Sequence, residues 1–148
     1  MRLTTYSDFA LRLLVYLGTQ GDHLCKIRDV AEAYDISKYH LVKVAQELAA
    51  AGFIEAVRGG GGGVRLARSP GSITIGEVIR CTETDMFLVE CLDRSGHSCR
   101  IGTACILKGA MREALASFMQ TLDRYTLADV MTKKPKLAKL LGIPLVAA

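Results

Sequence analysis

The sequence predicts a mainly α-helical fold with one small β-hairpin, and three observations support this prediction. Apolar residues recur at helical spacing in three separate segments of the first 52 residues. Two short strand-like runs then flank a glycine run, which is typical of a hairpin. A further helical stripe extends from about residue 103 to residue 125. Half of the 148 residues are hydrophobic, so the chain is long enough to bury a core.

The first predicted helix has an apolar stripe that begins at Tyr6, and Gly18 is its expected end. Thr5 and Asp8 stand three residues apart at its start and are predicted to form an approximate capping box. Asp8 and Arg12 interrupt the apolar run, and no small-residue cleavage site follows it. We therefore interpret this segment as a mature amphipathic helix and not as a signal peptide.

Two more helices and the hairpin follow in order. "KIRDVAEAYDI" predicts a short second helix, and "SKYHLVKVAQELAAAG" predicts a third with Ser37 as its N-cap and Gly52 as its end. "FIEAV" and "VRLA" are short strand candidates on either side of "RGGGGG". After a Pro-Gly break, "SITIGEVIRCTE" predicts a fourth helix that starts near Thr74.

Three helices followed by a two-stranded hairpin is the order of elements in a winged helix-turn-helix, which we predict for residues 1–72. In that fold the third helix enters the major groove of DNA. Its predicted solvent face carries hydrogen-bond donors and a flat aromatic ring, which suit phosphates and base edges. These side chains are Lys38, Tyr39, His40, Lys43 and Gln46. The simpler alternative is a solvated helix face with an i,i+4 pair between Lys43 and Glu47.

The predicted hairpin is basic. Arg58, Arg65 and Arg68 surround the glycine run, with no acidic residue between Arg58 and Arg68. The formal net charge of the chain is +4, a mild bias that is compatible with nucleic acid. The glycine run is not a phosphate-binding loop, because no Gly-Lys-Ser/Thr follows it. A basic hairpin beside a helix that begins with Ser-Lys favours DNA binding.

Residues 73–148 are predicted to form a cysteine-bearing loop and a dimerisation helix. The long stripe would make a helix of about 23 residues, roughly 34 Å long, starting near Thr103. A small winged-helix body cannot cover so wide an apolar surface, so pairing with a second copy is expected. The basic tail "KKPKLAKLLGIP" is expected to add a turn or two.

Three of the five cysteines, Cys91, Cys99 and Cys105, lie within "ECLDRSGHSCRIGTAC". No apolar run reaches the roughly 18 residues of a membrane span, so we expect a cytoplasmic protein with reduced thiols. The spacings of the cluster are wider than those of paired zinc knuckles, and three thiolates on a loop can surround an iron–sulfur cluster. Cys105 is expected in the first turn of the long helix, where the helix dipole favours a thiolate.

The fourth ligand is open at this point. His97 is a nearby candidate and would complete a Cys3His zinc set, although an exposed loop histidine is the simpler interpretation. Cys25, expected at the turn before the second helix, and Cys81, expected as a small buried thiol on the fourth, are further candidates. We find no nucleotide loop, no Ser/His/Asp arrangement and no paired carboxylates in a cleft-like context, so an enzyme is not expected. The residues alone indicate a DNA-binding dimer with a thiolate metal site.

Several segments, in this order, resemble the iron–sulfur winged-helix repressor family. They are "MRLTTYSDFALRLLVYL", "AEAYDISKYHLVKVAQELAAAGFIEAVRG", "GGVRL" and "YTLADV", with the three cysteines ahead of the long helix. The resemblance covers nearly the whole chain and is greatest to nitric-oxide sensors of the NsrR type, with RirA-type iron regulators second. IscR-type members usually have a histidine ligand where this chain has Leu107, which argues against that type.

The resemblance implies a homodimer that binds a palindromic double-stranded operator. It implies that Cys91, Cys99 and Cys105 hold an iron–sulfur cluster, 4Fe–4S in the first instance and 2Fe–2S as the alternative. Asp8, from the partner subunit, matches the family's aspartate ligand. The residues that match the family's DNA contacts are Ser37, Lys38, Tyr39, His40 and Lys43, with Arg58 and Arg65 in the hairpin. Family hairpins usually carry a basic residue or asparagine where this chain has Gly60 and Gly61, so contact by the tip is expected to be weaker.

The function that the resemblance implies is a transcriptional repressor that releases its operator when nitric oxide nitrosylates the cluster. Two alternatives remain on the same fold. One is a repressor that responds to iron or cluster supply, as RirA-type members do. The other is a metal-free thiol switch that forms reversible disulfides among the three cysteines.

Overall fold

The structure is a computed structural model that describes residues 2–93 and 99–144. It confirms the predicted fold class, since it is mainly helical with one antiparallel two-stranded sheet. The elements are α1 (Thr5–Gln20), α2 (Ile27–Tyr34), α3 (Lys38–Ala50), β1 (Ile54–Val57), β2 (Gly63–Leu66), α4 (Ile75–Thr82), α5 (Ile106–Asp123), α6 (Leu127–Val130) and α7 (Lys134–Leu141). No described helix is both long and apolar enough to cross a membrane.

Helix α1 is the centre of the fold, and it contacts α2, α3, α4, α6, α7 and β2. Leu13, Leu14 and Leu17 are fully buried because the i, i+3, i+4 spacing places them on one face. They pack in one core with the buried faces of the neighbouring helices and the hairpin. Because α1 is packed against all of these elements, a movement of α1 would change its contacts with them.

Both predicted ends of α1 are wrong. The helix starts after Thr4, whose hydroxyl accepts a hydrogen bond from the backbone N–H of Ser7, so Thr5 and Asp8 do not form a capping box. The helix also continues through Gly18 to Gln20. Gly18 is buried, and a side chain there would collide with Met131. The glycine therefore permits close packing and does not mark a helix end.

The hairpin is the predicted one, with β1 and β2 paired from Ile54–Leu66 to Val57–Gly63. Cys25, at the predicted turn before α2, adds an antiparallel bridge to Val64 through hydrogen bonds of 2.9 Å in both directions. A side chain at Gly63 would approach the Cys25 carbonyl oxygen to 2.7 Å, so this glycine is required by the close approach of the two backbones. The hairpin is thereby anchored to the start of α2.

Helix α4 begins after the predicted Thr74 cap, which accepts a hydrogen bond of 3.1 Å from the Glu77 N–H. The long helix, α5, is shorter than predicted and has 18 residues. Cys105 is its N-cap, in place of the predicted Thr103, and it ends at Asp123. The Thr126–Asp129 capping box begins a separate helix directly afterwards, which explains the earlier end. Arg80 of α4 donates hydrogen bonds of 2.7 and 2.6 Å to the Asp123 carboxylate and so holds α5 against α4.

We expect Glu77→Gln to lower the free energy of unfolding at neutral pH by roughly 1 kcal/mol or less, as for a partly exposed pair. Arg68 donates two hydrogen bonds of 2.9 Å to Glu77, and these hold the Glu77 pKa below its usual value near 4.5. The unfolded chain then binds the proton more readily, so the contribution is full above about pH 4.5 and is lost as pH falls through the lower folded value.

Urea unfolding of both proteins between about pH 3 and 7 would check this, with the range chosen to bracket the usual glutamate pKa near 4.5. Glu113→Gln, on an exposed position of α5, is the charge-matched control and is expected to show little effect. A wild-type advantage of the same size at every pH would contradict the assignment of the effect to this carboxylate.

Candidate nucleic-acid interface and metal centre

The face of α3 that is predicted to contact DNA, which we call the reading face, lies open to solvent. Ser37, Lys38, Tyr39, His40 and Lys43 are all exposed, and 65% of Tyr39 is accessible. The opposite face packs in the core, which fixes the direction in which these side chains point. Ser37 precedes the helix as predicted, but its hydroxyl makes no capping hydrogen bond. The hydroxyl is therefore not committed to capping and suits a phosphate contact.

The side chains of the reading face are ordered by ring contacts. The Lys43 ammonium lies 4.5 Å from the centroid of the Tyr39 ring, which is a cation–π geometry. The His40 ring stacks on Phe9 of α1, with 6.2 Å between centroids. No ion pair between Lys43 and Glu47 occurs in the described part of the chain, so the predicted alternative of a simple surface pair is not observed. The lysine is held by an aromatic ring instead.

Helix α1 contacts α3, the reading helix, directly through Tyr6. The Tyr6 hydroxyl donates a hydrogen bond of 3.0 Å to the backbone carbonyl of Lys43. Burial and the neighbouring Glu47 carboxylate raise the Tyr6 pKa above its usual value, so the hydroxyl keeps its proton and remains a donor. The first two turns of α1 therefore touch α3 at both Tyr6 and Phe9.

The three hairpin arginines are not equivalent. Arg65 forms an ion pair with Glu55 across the two strands, and Arg68 pairs with Glu77 while its guanidinium lies 4.9 Å from the centroid of the Phe53 ring. Arg58 is exposed and makes no ion pair with any residue that the structure describes. The acidic partners lie on β1 and α4, outside the stretch between the arginines, so the linear pattern did not reveal them.

Lys26 is a basic residue beside the reading helix that the sequence analysis missed. It precedes α2, and its ammonium donates to the backbone carbonyl of Gly62 at the end of the glycine run. Together with Ile27, Arg28 and Lys38 it lines a shallow cleft between the starts of α2 and α3. Its place next to Gly62 follows from the bridge between Cys25 and the hairpin, and its place next to Lys38 from the packing of α2 against α3.

We expect Arg58→Ala to weaken operator binding and to lower the slope of log affinity against log salt by about one, as for the loss of one phosphate contact. The matched comparison is the double variant Glu55→Ala/Arg65→Ala, which removes a neutral pair from the same hairpin. Because Arg65 is already paired with Glu55, we expect a smaller loss of operator affinity and of salt slope there than in Arg58→Ala. Fluorescence anisotropy at several salt concentrations would measure both; equal losses would assign a DNA contact to Arg65.

The three clustered cysteines precede α5 in the chain, and among the described residues the structure does not bring them together as a ligand set. Cys105 is the N-cap of α5 and is half-buried, while Cys99 is exposed. Cys91 is half-buried in a short 3-10 turn, Glu90–Leu92, that contacts α5. All five cysteines are free thiols. Within residues 2–93 and 99–144, no three or more histidine, cysteine, aspartate or glutamate side chains form a group that could hold a metal ion. His97 lies outside the described residues.

The other two cysteines differ in environment. Cys25 is buried, and burial, together with the nearby Asp29, raises its pKa to about 11. Burial also raises the pKa of Cys81, with smaller contributions from Glu47 and Glu77. Both thiols therefore keep their protons at neutral pH and pack as small apolar groups. Cys25 and Cys81 are therefore poor candidates for metal ligands, because a thiolate is the form that binds metals.

Asp8 is available for a second role, because Thr4 caps α1 and Glu83, not Asp8, accepts from the Thr4 backbone N–H. Its carboxylate lies 2.8 Å from the Arg12 guanidinium one turn along α1, and 48% of its side chain is exposed. The Arg12 guanidinium in turn lies 5.7 Å from the centroid of the Tyr34 ring. An exposed carboxylate near the start of α1 can be presented to another molecule.

Comparison with known proteins confirms the family resemblance. Residues 3–133 match the Rrf2 family model, described as an iron-dependent transcriptional regulator. The HTH-type transcriptional regulator NsrR of Shouchella clausii is 46% identical over 142 residues, which cover 95% of this chain and 95% of that protein. NsrR of Bacillus subtilis is 44% identical over 142 residues, covering 95% and 97% of the two chains.

Solved structures agree with the fold. CymR, the global cysteine regulator of B. subtilis, superposes with a TM-score of 0.70 at 25% identity and covers 90% of this chain and 98% of its own. IscR of T. potens superposes with a TM-score of 0.72 at 24% identity, covering 93% and 90%, and this likeness concerns the fold alone. The family match and the full-length relatives agree: this chain belongs to the Rrf2 family of transcriptional regulators.

Proposed function

We propose that this chain is an iron–sulfur transcriptional repressor that responds to nitric oxide. Residues 1–72 would read a palindromic operator, and residues 73–148 would hold the cofactor and dimerise. The observation that carries this proposal is the run of free thiols Cys91, Cys99 and Cys105, none of them in the core, ahead of α5 in a chain 46% identical to a regulator named NsrR. The fold that this chain shares with CymR does not by itself identify these thiols as a cofactor site.

The donor chemistry fits a thiolate-bound cluster. Cys91, Cys99 and Cys105 would supply thiolates, and Asp8 of the partner subunit would supply a carboxylate as fourth ligand. The start of α5 carries the positive end of an 18-residue helix, which favours thiolates and an anionic cofactor beside Cys105. When bound, an iron–sulfur cluster, 4Fe–4S in the first instance, supplies iron with which nitric oxide reacts.

Asp8 would be the labile member of this ligand set, because soft iron–sulfide centres prefer thiolate to carboxylate. Arg12 lies one turn away and would pair with the Asp8 carboxylate whenever that carboxylate is not a ligand, as the distance of 2.8 Å allows. Helix α1 would then be free of its tie to the partner subunit. Because Tyr6 and Phe9 of α1 touch the reading helix, a movement of α1 would change the position of α3.

A second copy of the chain would cover the outer side of α5. Its first turn is apolar and accessible, with 88% of Ile106 and 59% of Leu107 exposed. Apolar surface at the start of the longest helix is typical of a subunit interface. A twofold dimer would present two copies of α3, which matches the symmetry of a palindromic operator.

The test is an anaerobic purification with iron and sulfide counts and an absorption spectrum, followed by titration with nitric oxide. Operator DNA would be selected by the loaded protein from a random duplex library. About four irons per chain and operator release on addition of nitric oxide are expected; about two would indicate the 2Fe–2S form.

Two results would overturn the proposal. Operator release on iron chelation, with no response to nitric oxide, would assign the chain to iron sensing. A colourless protein that resists reconstitution and loses DNA reversibly with oxidant would assign the cysteines to a thiol switch.

A further inference from the structure

The start of α1 is completed by a residue from α4. In an ordinary capping box, the third residue of the helix accepts a hydrogen bond from the N-cap backbone N–H. In α1 that position is Ser7, which is too short for this role, and the acceptor is Glu83. The Thr4 backbone N–H donates to Glu83 Oε1 at 2.7 Å, and the Thr4 hydroxyl donates to the same oxygen at 3.0 Å. The helix end is therefore capped across a sequence separation of 79 residues.

A buried hydroxyl pair extends this contact into the protein. Ser7 is fully buried, and its hydroxyl donates to Glu83 Oε1 at 2.5 Å. The Ser7 hydroxyl also lies 2.7 Å from the Thr82 hydroxyl. Thr82 is 6% exposed, and its hydroxyl donates a hydrogen bond of 3.0 Å to the Val78 carbonyl oxygen. Thr82 has a hydrogen-bond acceptor within α4, but the Ser7 hydroxyl reaches Glu83 and Thr82 only when the start of α1 lies against the end of α4. We call Thr4, Ser7, Thr82 and Glu83 the polar latch.

The charge of Glu83 suits this place. A negative group is stabilised at the N-terminus of a helix, where the first backbone N–H groups have no partner within the helix. Burial raises the Glu83 pKa, but the hydrogen bonds from Ser7 and Thr4 outweigh burial and hold the pKa below its usual value. The carboxylate is therefore ionised at neutral pH.

The polar latch lies where the two halves of the proposed mechanism meet. Glu83 is the C-cap of α4 and the point at which the chain leaves for the cysteine segment, with Cys91 eight residues further on. Ser7 is flanked by Tyr6, which holds the reading helix, and by Asp8. Apolar surfaces can slide over one another, whereas three hydrogen bonds that converge on one oxygen atom tolerate only a narrow geometry.

We propose that the polar latch is the positioning element that transmits the state of the cysteine segment to the reading helix through the start of α1. This inference rests on the proposed function. With the cysteine site loaded, the latch is closed and α1 holds α3 in the DNA-binding position. When the cysteine segment rearranges, it displaces Glu83, and α1 loses its cap and its register against α4. Ser7, Thr82 and Glu83 act through α1 and do not touch the DNA or the cofactor.

The test compares operator affinity in the presence and absence of an intact cysteine site, for wild type and for latch variants. Ser7→Ala and Glu83→Gln each remove a latch contact, and each is measured alone and combined with Cys99→Ala. The affinity ratio is the operator affinity with an intact cysteine site divided by the operator affinity with Cys99→Ala. We expect this ratio to be smaller in Ser7→Ala and in Glu83→Gln than in wild type, on the order of tenfold, within the usual range of coupling between sites. Iron content of the loaded variants should match wild type.

Asp129→Asn is the matched control. Asp129 accepts hydrogen bonds from the backbone N–H and the hydroxyl of Thr126, as Glu83 does from Thr4, but within a single helix end. Asp129→Asn removes the same kind of hydrogen bonds, but these bonds do not join two parts of the fold. Its affinity ratio should therefore equal that of wild type. An equal fall in the control would attribute the effect to general loss of stability and overturn the latch.

Hydrogen exchange provides a measurement that needs no latch variant. In Cys99→Ala, the amides at the start of α1 and the end of α4 should exchange faster than in the loaded wild type. Unchanged exchange there, or unchanged affinity ratios in the latch variants, overturns the proposal. If wild type binds the operator equally well with and without an intact cysteine site, the proposed function itself is wrong. If both latch variants keep the affinity ratio of wild type, only the polar latch is wrong.

Discussion

Cys99→Ala is expected to abolish iron binding and to weaken operator binding at least about tenfold, the scale of a switch between two conformational states. Cys99 is the most exposed of the three clustered thiols, so the substitution removes a ligand without opening a cavity in the core. With Cys99 removed, only two thiolates and the Asp8 carboxylate of the partner subunit remain, too few for a cluster held by four protein ligands. The readouts are iron per chain and operator affinity by fluorescence anisotropy, under anaerobic conditions.

Cys81→Ala provides the matched control for this prediction. Its thiol packs against the main core, and burial raises its pKa, so it should contribute packing and no metal ligand. We expect full iron content, retained operator affinity and a lower free energy of unfolding by roughly 1 kcal/mol, as for a lost buried sulfur. Full iron content in Cys99→Ala, or its loss in Cys81→Ala, would show that the ligand set is assigned to the wrong thiols.

Lys43→Ala should weaken operator binding by roughly tenfold to a hundredfold, the usual range for a residue that contacts DNA from a recognition helix. The Lys43 ammonium is exposed and held over the Tyr39 ring, so it needs little further ordering when DNA binds. The backbone carbonyl that accepts from Tyr6 is kept in the variant, so the link between α1 and α3 persists. Anisotropy titrations on the selected operator and on unrelated duplex DNA would separate base reading from phosphate binding.

Lys136→Ala is the charge-matched control. This lysine is exposed on α7, away from the reading helix in sequence and fold. It changes net charge by the same amount, so any general electrostatic effect should be equal in both variants. Equal losses of affinity for the two substitutions would mean that Lys43 acts only through overall charge, and would remove it from the reading face.

Local patterns were sufficient for much of the fold. The spacing of Leu13, Leu14 and Leu17 predicted the buried face of α1, and the glycine run between two short strands predicted the hairpin. Thr74 and Gly52 were correctly assigned to helix ends because their roles depend on backbone geometry within a few residues. The exposed face of α3 followed from the same helical period.

Three of the errors arose where a distant residue decides the outcome. Gly18 resembles a helix end in the linear chain, but Met131 occupies the space beside it. Arg65 resembles a free cation in the hairpin, but Glu55 faces it across the strands. Thr5 and Asp8 have capping-box spacing, but Thr4 takes the cap and Glu83 completes it. In each case the competing contact lies on another element, beyond the reach of a local pattern.

The sequence by itself determined which chemical groups this protein has and on which kind of element each stands: a reading helix with its donors, a hairpin, and three closely spaced thiols. These properties depend on residue identity and on short-range periodicity, which the chain carries in any conformation. Only the tertiary structure decided which cations remain unpaired, which thiols are buried and how the cysteine segment is joined to α1. Those outcomes depend on contacts such as Ser7 with Glu83, separated by 76 residues, which exist only once the helices have packed.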